Sequence, residues 1–179
     1  MGYFLANILP LKLAYSLAKR VSDLQYILSG KDRRAVLLNL SIITKKDIGE
    51  CRKLARLVFR NFGLYLVDFF RMPNLNVDDI KKRVEVQGIE NIRSALSQGK
   101  GGIILTCHIG NWEMGGVTIA MLGYNISAVA LNHKYKKIND FFIKQREEKG
   151  LKVIPINAMM KSCISVLRKN GLLALLGDR

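Results

Sequence analysis

Helical spacing of apolar residues dominates the first part of the chain. It begins with a strongly apolar stretch, YFLANILPLKLAYSLA, which one proline and one lysine interrupt. Pro73 and Asn74 end the helical pattern. We therefore predict a helical N-terminal region over residues 1–74, with its elements at residues 3–18, 31–42 and 46–71.

Short apolar runs alternate with helical patterns over residues 75–179. Such runs, bounded by turn residues, are typical of buried strands in a parallel sheet. Strands that alternate with helices form right-handed βαβ units. The predicted fold class is therefore α/β, a mainly parallel sheet flanked by helices. Its predicted strands are near Val84–Val86 and at Ile103–Thr106, Ile126–Leu131, Leu151–Ile156 and Leu172–Leu176, and its helices cover residues 89–98, 112–122, 138–149 and 158–169.

The charge balance changes the picture, because 29 Lys and Arg residues face 14 Asp and Glu residues, a net charge of +15. An even basic field fits an anionic partner, either a membrane surface or a nucleic acid. No motif of interleaved aromatic and basic residues supports a nucleic acid. Arg52, Arg56 and Arg60 recur at helical spacing and share one face, which fits either phosphate binding or a solvated surface.

The apolar stretch at residues 3–18 is a candidate membrane anchor. It is shorter than the roughly 20 apolar residues of a spanning helix. No basic segment precedes it, so a secretory signal is a poor fit. Lys19 and Arg20 follow it directly, where anionic headgroups would lie on a cytoplasmic face. We predict an interfacial or shallowly inserted anchor, with a buried core helix as the alternative.

The candidate site lies at residues 106–116, TCHIGNWEMGG, because ligand sites of parallel sheets lie beyond the carboxyl ends of the strands. His108 follows a predicted strand, and Glu113 lies in the first turn of the next helix. If the carboxylate accepts the imidazole N–H, the other ring nitrogen is free to act as a general base. Asn111 is expected to cap this helix, whose free N–H groups suit an oxyanion. A structural histidine is the alternative for His108 alone.

The sequence lacks the residues that a zinc site or a nucleotide-binding loop would need. Histidine occurs only at His108 and His133, and no spaced Cys or Asp cluster joins them, so zinc is not expected. The sequence contains no G-x-S-x-G, Walker or G-x-G-x-x-G motif. We predict no cofactor.

The string His108-Ile109-Gly110-Asn111-Trp112-Glu113 resembles the H-x4-[D/E] motif of acyltransferases. With its Gly-Asn-Trp-Glu continuation it is similar to the bacterial lipid A biosynthesis lauroyl/myristoyl acyltransferase family. The resemblance extends over nearly the whole chain. It includes Val86–Asn91, Arg146 with Gly150, the segment GLLALLGDR that ends at Arg179, and Arg33, Arg34 and Asn39-Leu40.

The resemblance implies a glycerolipid-acyltransferase-like fold and a reaction. A fatty acyl chain would pass from a carrier thioester, acyl carrier protein or coenzyme A, to a hydroxyl of a membrane glycolipid such as a lipid A precursor. The expected place is the cytoplasmic side of the inner membrane. His108 would be the general base, with no metal, and Glu113 would orient it.

The resemblance also implies substrate-binding residues. The candidates are Asn111, Arg146, Asp178 and Arg179, the two arginines because guanidinium groups suit phosphate or polar headgroups. For Arg146, a surface pair with Glu147 or Asp140 is the alternative. For Asp178, the alternative is capping of the next turn.

The family continues past the Asp-Arg segment at which this chain stops, so the resemblance implies an incomplete catalytic region. Two other functions stay open at this point. One is an inactive membrane-associated fragment of such an enzyme, and the other is a basic nucleic-acid-binding module.

Overall fold

A computed structural model of the protein describes residues 2–178. The chain divides between Arg71 and Met72 into two compact parts, here called the helical unit and the α/β unit. The division falls close to the boundary predicted at residue 74. Arg179, one of the expected headgroup-binding residues, lies outside the described residues.

The helical unit contains α1 (Gly2–Ile8), α2 (Leu11–Leu28), α3 (Gly30–Thr44) and α4 (Arg52–Arg71). The apolar stretch of the N-terminus is two helices, because Pro10 has no backbone N–H and separates α1 from α2. The Arg71 guanidinium donates to the carbonyl oxygens of Ala6 and Leu9 at 2.6 and 2.8 Å, which satisfies groups that the end of α1 leaves free. In the described part of the chain, no helix combines the length and the apolar character that crossing a membrane requires.

A glycine and a shared carboxylate join α2 to α4. A Cβ atom at Gly63 would lie 2.2 Å from Ser22 Oγ, so glycine permits this approach of the two helices without displacing the Ser22 hydroxyl. Asp23 on α2 accepts both guanidinium groups of Arg56 and Arg60 at 2.6 to 2.7 Å. Two arginines of the predicted basic face therefore share one carboxylate, which offsets one of their two positive charges.

The α/β unit confirms the predicted fold class. Its four strands are all parallel, in the order β1-β4-β2-β3, and helices pack against them. β4 lies inside the sheet, where Leu172 and Leu173 are buried. The elements are α5 (Val77–Arg83), α6 (Ile89–Ser97), β1 (Gly102–Thr106), α7 (Trp112–Met121), β2 (Ile126–Ala130), α8 (Lys136–Glu147), β3 (Lys152–Pro155), α9 (Met159–Arg168) and β4 (Leu172–Leu176), with short 3-10 turns at Met72–Asn74 and Ile156–Ala158.

The prediction of a strand at Val84–Val86 is wrong. A helix, α5, immediately precedes this segment, and a capping box fixes its start: Asn76 and Asp79 each accept the other's backbone N–H. Residues 84–88 pair with no strand of the described sheet. Alternating apolar residues form a strand only where a neighbouring strand supplies hydrogen bonds.

The prediction that Ile103–Thr106 is a buried strand is wrong for one of its faces. β1 forms an edge of the sheet. Ile103 is 58 % exposed and Leu105 is 72 % exposed. Since alternate side chains of a strand share a face, one whole face of β1 stays uncovered in the described part of the chain.

Candidate active site

The register of the sheet brings His108 beside Asp178. In the parallel pair of β1 and β4, Thr106 lies opposite Leu176. The Gly177 N–H donates to the Thr106 carbonyl at 2.9 Å, which extends the pairing past the ends of both strands. His108 and Asp178 follow at the same distance beyond those ends, at the edge where sites of parallel sheets lie.

The Asp178 carboxylate accepts two hydrogen bonds from His108, one from the backbone N–H at 3.0 Å and one from the ring Nδ1 at 2.8 Å. Both bonds lower the pKa of Asp178, the backbone bond most. Because an ionised carboxylate can only accept, Nδ1 carries the proton and Nε2 is the basic nitrogen. The His108 side chain is 27 % exposed, so a substrate can reach it.

The turn after β1 places a second side chain against the imidazole. Gly110 has a φ of +62°, a left-handed conformation that glycine adopts without strain. Asn111 Oδ1 accepts the Met114 N–H at 3.1 Å, which confirms the expected helix cap. The Trp112 ring lies edge-on to the imidazole, with ring centroids 4.9 Å apart. The cap and the indole therefore hold His108 at the start of α7.

Glu113 contacts a residue other than the one expected. Its two carboxylate oxygens accept hydrogen bonds from Arg146, from Nε at 2.8 Å and from Nη2 at 2.5 Å. The Glu113 and Arg146 side chains are 7 % and 13 % exposed. The carboxylate that orients the imidazole is thus Asp178, whereas the prediction gave this contact to Glu113. The reason is the sheet register, which places Asp178 against Nδ1.

Arg146 belongs to this buried pair instead of to a surface pair on its own helix. Asp140, one of the alternatives, bonds to Lys136 at 3.0 Å. The Arg146 guanidinium also lies over the Phe142 ring, 5.7 Å from its centroid. The pair joins the first turn of α7 to the last turn of α8, so it holds the helix that follows His108. The headgroup-binding role of Arg146 stays a prediction, as does a substrate contact of Asn111.

The sequence pattern alone did not reveal the pairing of His108 with Asp178, which lies 70 residues away. The only signal was positional, because each residue follows a strand of the same parallel sheet at the same distance. Without the strand order, nothing showed that these two strands are neighbours. Within residues 2–178, no group of three His, Cys, Asp or Glu side chains is placed to hold a metal ion.

Comparison with known proteins decides the family. The profile described as "Bacterial lipid A biosynthesis acyltransferase" matches residues 1–179. The chain belongs to the bacterial lipid A biosynthesis acyltransferase family. The expected resemblance is thereby confirmed over the whole length given.

Two curated relatives of this lipid A acyltransferase family member are phosphatidylinositol mannoside acyltransferases. The protein of Mycobacterium tuberculosis H37Rv is 26% identical over 125 residues, 66% of this chain and 40% of the relative. The protein of Mycolicibacterium smegmatis is 27% identical over 114 residues, 64% of this chain and 38% of the relative. The chain thus spans about two fifths of the length of the curated relatives it matches.

Proposed function

We propose that this chain transfers a fatty acyl group from a carrier thioester to a hydroxyl of a membrane glycolipid. The observation that carries the proposal is the 2.8 Å contact between His108 Nδ1 and Asp178, which leaves Nε2 free as a base. Family membership supports the reaction class. The names of the mycobacterial relatives support a glycolipid acceptor.

The proposed reaction begins when His108 Nε2 takes the proton of the acceptor hydroxyl. The acceptor oxygen attacks the thioester carbonyl and forms a tetrahedral intermediate. When this collapses, the carbon–sulfur bond breaks, and the leaving thiolate takes the proton from the imidazolium. The negative charge of Asp178 stabilises the imidazolium in between. The products are the ester and the free thiol.

Glu113 and Arg146 act in this scheme by positioning. Their buried pair fixes the first turn of α7, and that turn fixes Trp112 against the imidazole. Glu113 therefore influences the base through the placement of the helix. Backbone N–H groups at the start of α7 are the proposed donors to the developing oxyanion.

The proposed donor is an acyl-carrier-protein or coenzyme A thioester, and the proposed place is the cytoplasmic face of the inner membrane. The net charge of +15 supports a location at a membrane surface, because a basic protein is attracted to anionic lipid headgroups. The helical unit supports it as well, because large apolar side chains of its first two helices are exposed, among them Phe4, Ile8, Leu13, Ile27 and Leu28.

The test is acyl transfer by the purified chain in detergent. Each thioester is offered with a lipid A precursor or with phosphatidylinositol mannoside, and the acylated lipid is measured by mass spectrometry. We expect transfer, and His108→Ala is expected to lower its rate by about 10²–10⁴-fold because a general base is lost. His133→Ala, which removes the other, exposed histidine, is the matched control and should keep the rate.

Two results would contradict the proposal. One is a folded chain that transfers acyl groups with none of the four donor and acceptor pairs. The other is transfer that His108→Ala leaves unchanged. Binding of RNA with a steep salt dependence and no transfer would favour the nucleic-acid alternative.

A further inference from the structure

The helical unit contains a cavity of about 620 Å³ that the proposed reaction does not use. It is lined by residues of α2, α3, α4 and the loop before α4. These residues are Tyr26, Arg33, Leu37, Ile48, Arg52, Lys53 and Arg56. The lining therefore combines a cationic side, meaning here its Arg and Lys residues, with an apolar side, meaning Tyr26, Leu37 and Ile48.

The cationic side carries more charge than its neighbours compensate. Arg56 is paired with Asp23. Arg33 Nη1 donates to the carbonyls of Tyr26 and Ile27 at 2.9 and 3.0 Å, which are uncharged partners. None of the ion pairs within residues 2–178 includes Arg33, Arg52 or Lys53. These three residues leave an excess of positive charge around the cavity.

Two of the acidic residues nearest along the chain bond to groups of their own turns. Asp32 accepts a hydrogen bond from Ser29 Oγ at 2.5 Å. Glu50 accepts the Asp47 N–H at 3.1 Å. Neither forms an ion pair with the lining cations in the part of the chain that the structure describes, so the cavity suits an anion from outside the chain. Arginine and lysine side chains are the usual ligands of phosphate.

The apolar side decides which kind of anion fits. Tyr26, Leu37 and Ile48 supply a wall that an inorganic phosphate does not need. Aliphatic side chains of the same helices are exposed, namely Ile27, Leu28, Ile42 and Ile43 at 65 to 76 %. A ligand with a phosphate headgroup and acyl chains would satisfy both sides at once.

We propose that this cavity binds an anionic glycerophospholipid, with its phosphate at Arg33, Arg52 and Lys53 and its acyl chains along Leu37 and Ile48. The site draws on the helical unit alone and uses no residue of the acyl-transfer scheme. Its failure and the failure of the proposed function are therefore distinguishable, because one is a binding measurement and the other a rate.

The test is a calorimetric titration of the full chain with dihexanoyl phosphatidic acid below its micelle concentration. Inorganic phosphate and dihexanoyl phosphatidylcholine are titrated in parallel. We expect saturable binding of phosphatidic acid. Binding of the other two should be weaker by about tenfold or more, because inorganic phosphate has no acyl chains and phosphatidylcholine has no net negative charge.

Variants locate the site. The double change Arg52→Gln with Lys53→Gln is expected to weaken phosphatidic acid binding by about tenfold, because two exposed cations at the cavity are lost. Lys81→Gln with Lys82→Gln removes the same charge at exposed positions outside the cavity and should leave binding unchanged. Ile48→Asn should weaken phosphatidic acid without affecting inorganic phosphate. Circular dichroism checks that each variant is folded.

Three results would overturn the proposal. Equal loss in both double variants would mean that the binding follows net charge alone. Inorganic phosphate that binds as tightly as phosphatidic acid would mean a simple anion site. An RNA oligonucleotide that displaces the lipid, and loses affinity in the Arg52→Gln, Lys53→Gln variant, would mean a nucleic-acid site.

Discussion

Replacing Arg146 by methionine should strongly destabilise the α/β unit. Met keeps much of the side-chain volume but removes the guanidinium that binds both oxygens of Glu113. Glu113 is 7 % exposed on its side chain, so water cannot replace the lost donors without opening the site. The variant therefore leaves the Glu113 carboxylate buried without its ion pair to Arg146.

The size of the effect follows from that burial. Removing one partner of a buried ion pair costs about 3–5 kcal/mol, whereas exposed pairs contribute about 0–1 kcal/mol. A typical domain is stable by about 5–15 kcal/mol, so the variant should lose a large part of its stability. Glu113→Met combined with Arg146→Met removes both charges. The free energy of unfolding of this double variant should lie within about 1 kcal/mol of the wild-type value or exceed it.

Urea unfolding followed by tryptophan fluorescence is the assay. The chain has a single tryptophan, Trp112, which directly precedes Glu113 and reports on the start of α7. Arg146→Lys is the matched control for charge, because it keeps the cation and loses the two-pronged geometry. We expect the stability of Arg146→Lys to lie between that of the wild type and that of Arg146→Met.

The reasoning would be refuted if Arg146→Met cost less than about 1 kcal/mol, since the pair would then behave as a solvent-exposed one. It would also be refuted if the double methionine variant were less stable than Arg146→Met alone. In that case the loss would come from packing and not from an uncompensated charge.

Three further predictions concern stability. The hydrogen bond from Arg56, followed in size by the one from Arg60, lowers the pKa of Asp23 below its ordinary value of 3.8. The ionised carboxylate therefore stabilises the folded state, and Asp23→Asn should lower the melting temperature at neutral pH. The difference in melting temperature should shrink as the pH falls below 3.8 toward the lowered pKa of Asp23, because the wild-type carboxylate is then protonated. A difference that stays constant in acid would contradict this prediction. Gly63→Ala should destabilise the helical unit by about 1–3 kcal/mol through overpacking against Ser22, and adding Ser22→Ala should recover stability in thermal unfolding. Asn111→Ala should cost about 1 kcal/mol in urea unfolding because α7 loses its cap, and no loss would show that the cap is replaced.

Local patterns predicted the parts of the fold that local chemistry determines. The strands at 126–131, 151–156 and 172–176 lie within a residue or two of β2, β3 and β4. The position of His108 just past the end of β1 and the cap at Asn111 were also predictable, because each depends on a strand end and on the next few residues.

Long-range relations could not be predicted in the same way. Asp178 contacts His108 because β4 lies next to β1, and strand order depends on the packing of the whole unit. Val84–Val86 alternates like a strand but has no strand beside it. Glu113 is near His108 along the chain, but its carboxylate meets Arg146 from another helix.

The most direct test of the central claim is the tautomer of His108, read from the nitrogen chemical shifts of the protein labelled with ¹⁵N-histidine. With only two histidines, both imidazoles can be assigned by substitution. Under conditions in which the imidazole is neutral, we predict the proton of His108 on Nδ1, facing Asp178, and an unprotonated Nε2. Asp178→Ala should abolish this preference and leave His133 unchanged. A neutral His108 with its proton on Nε2 in the wild type would contradict the proposed base.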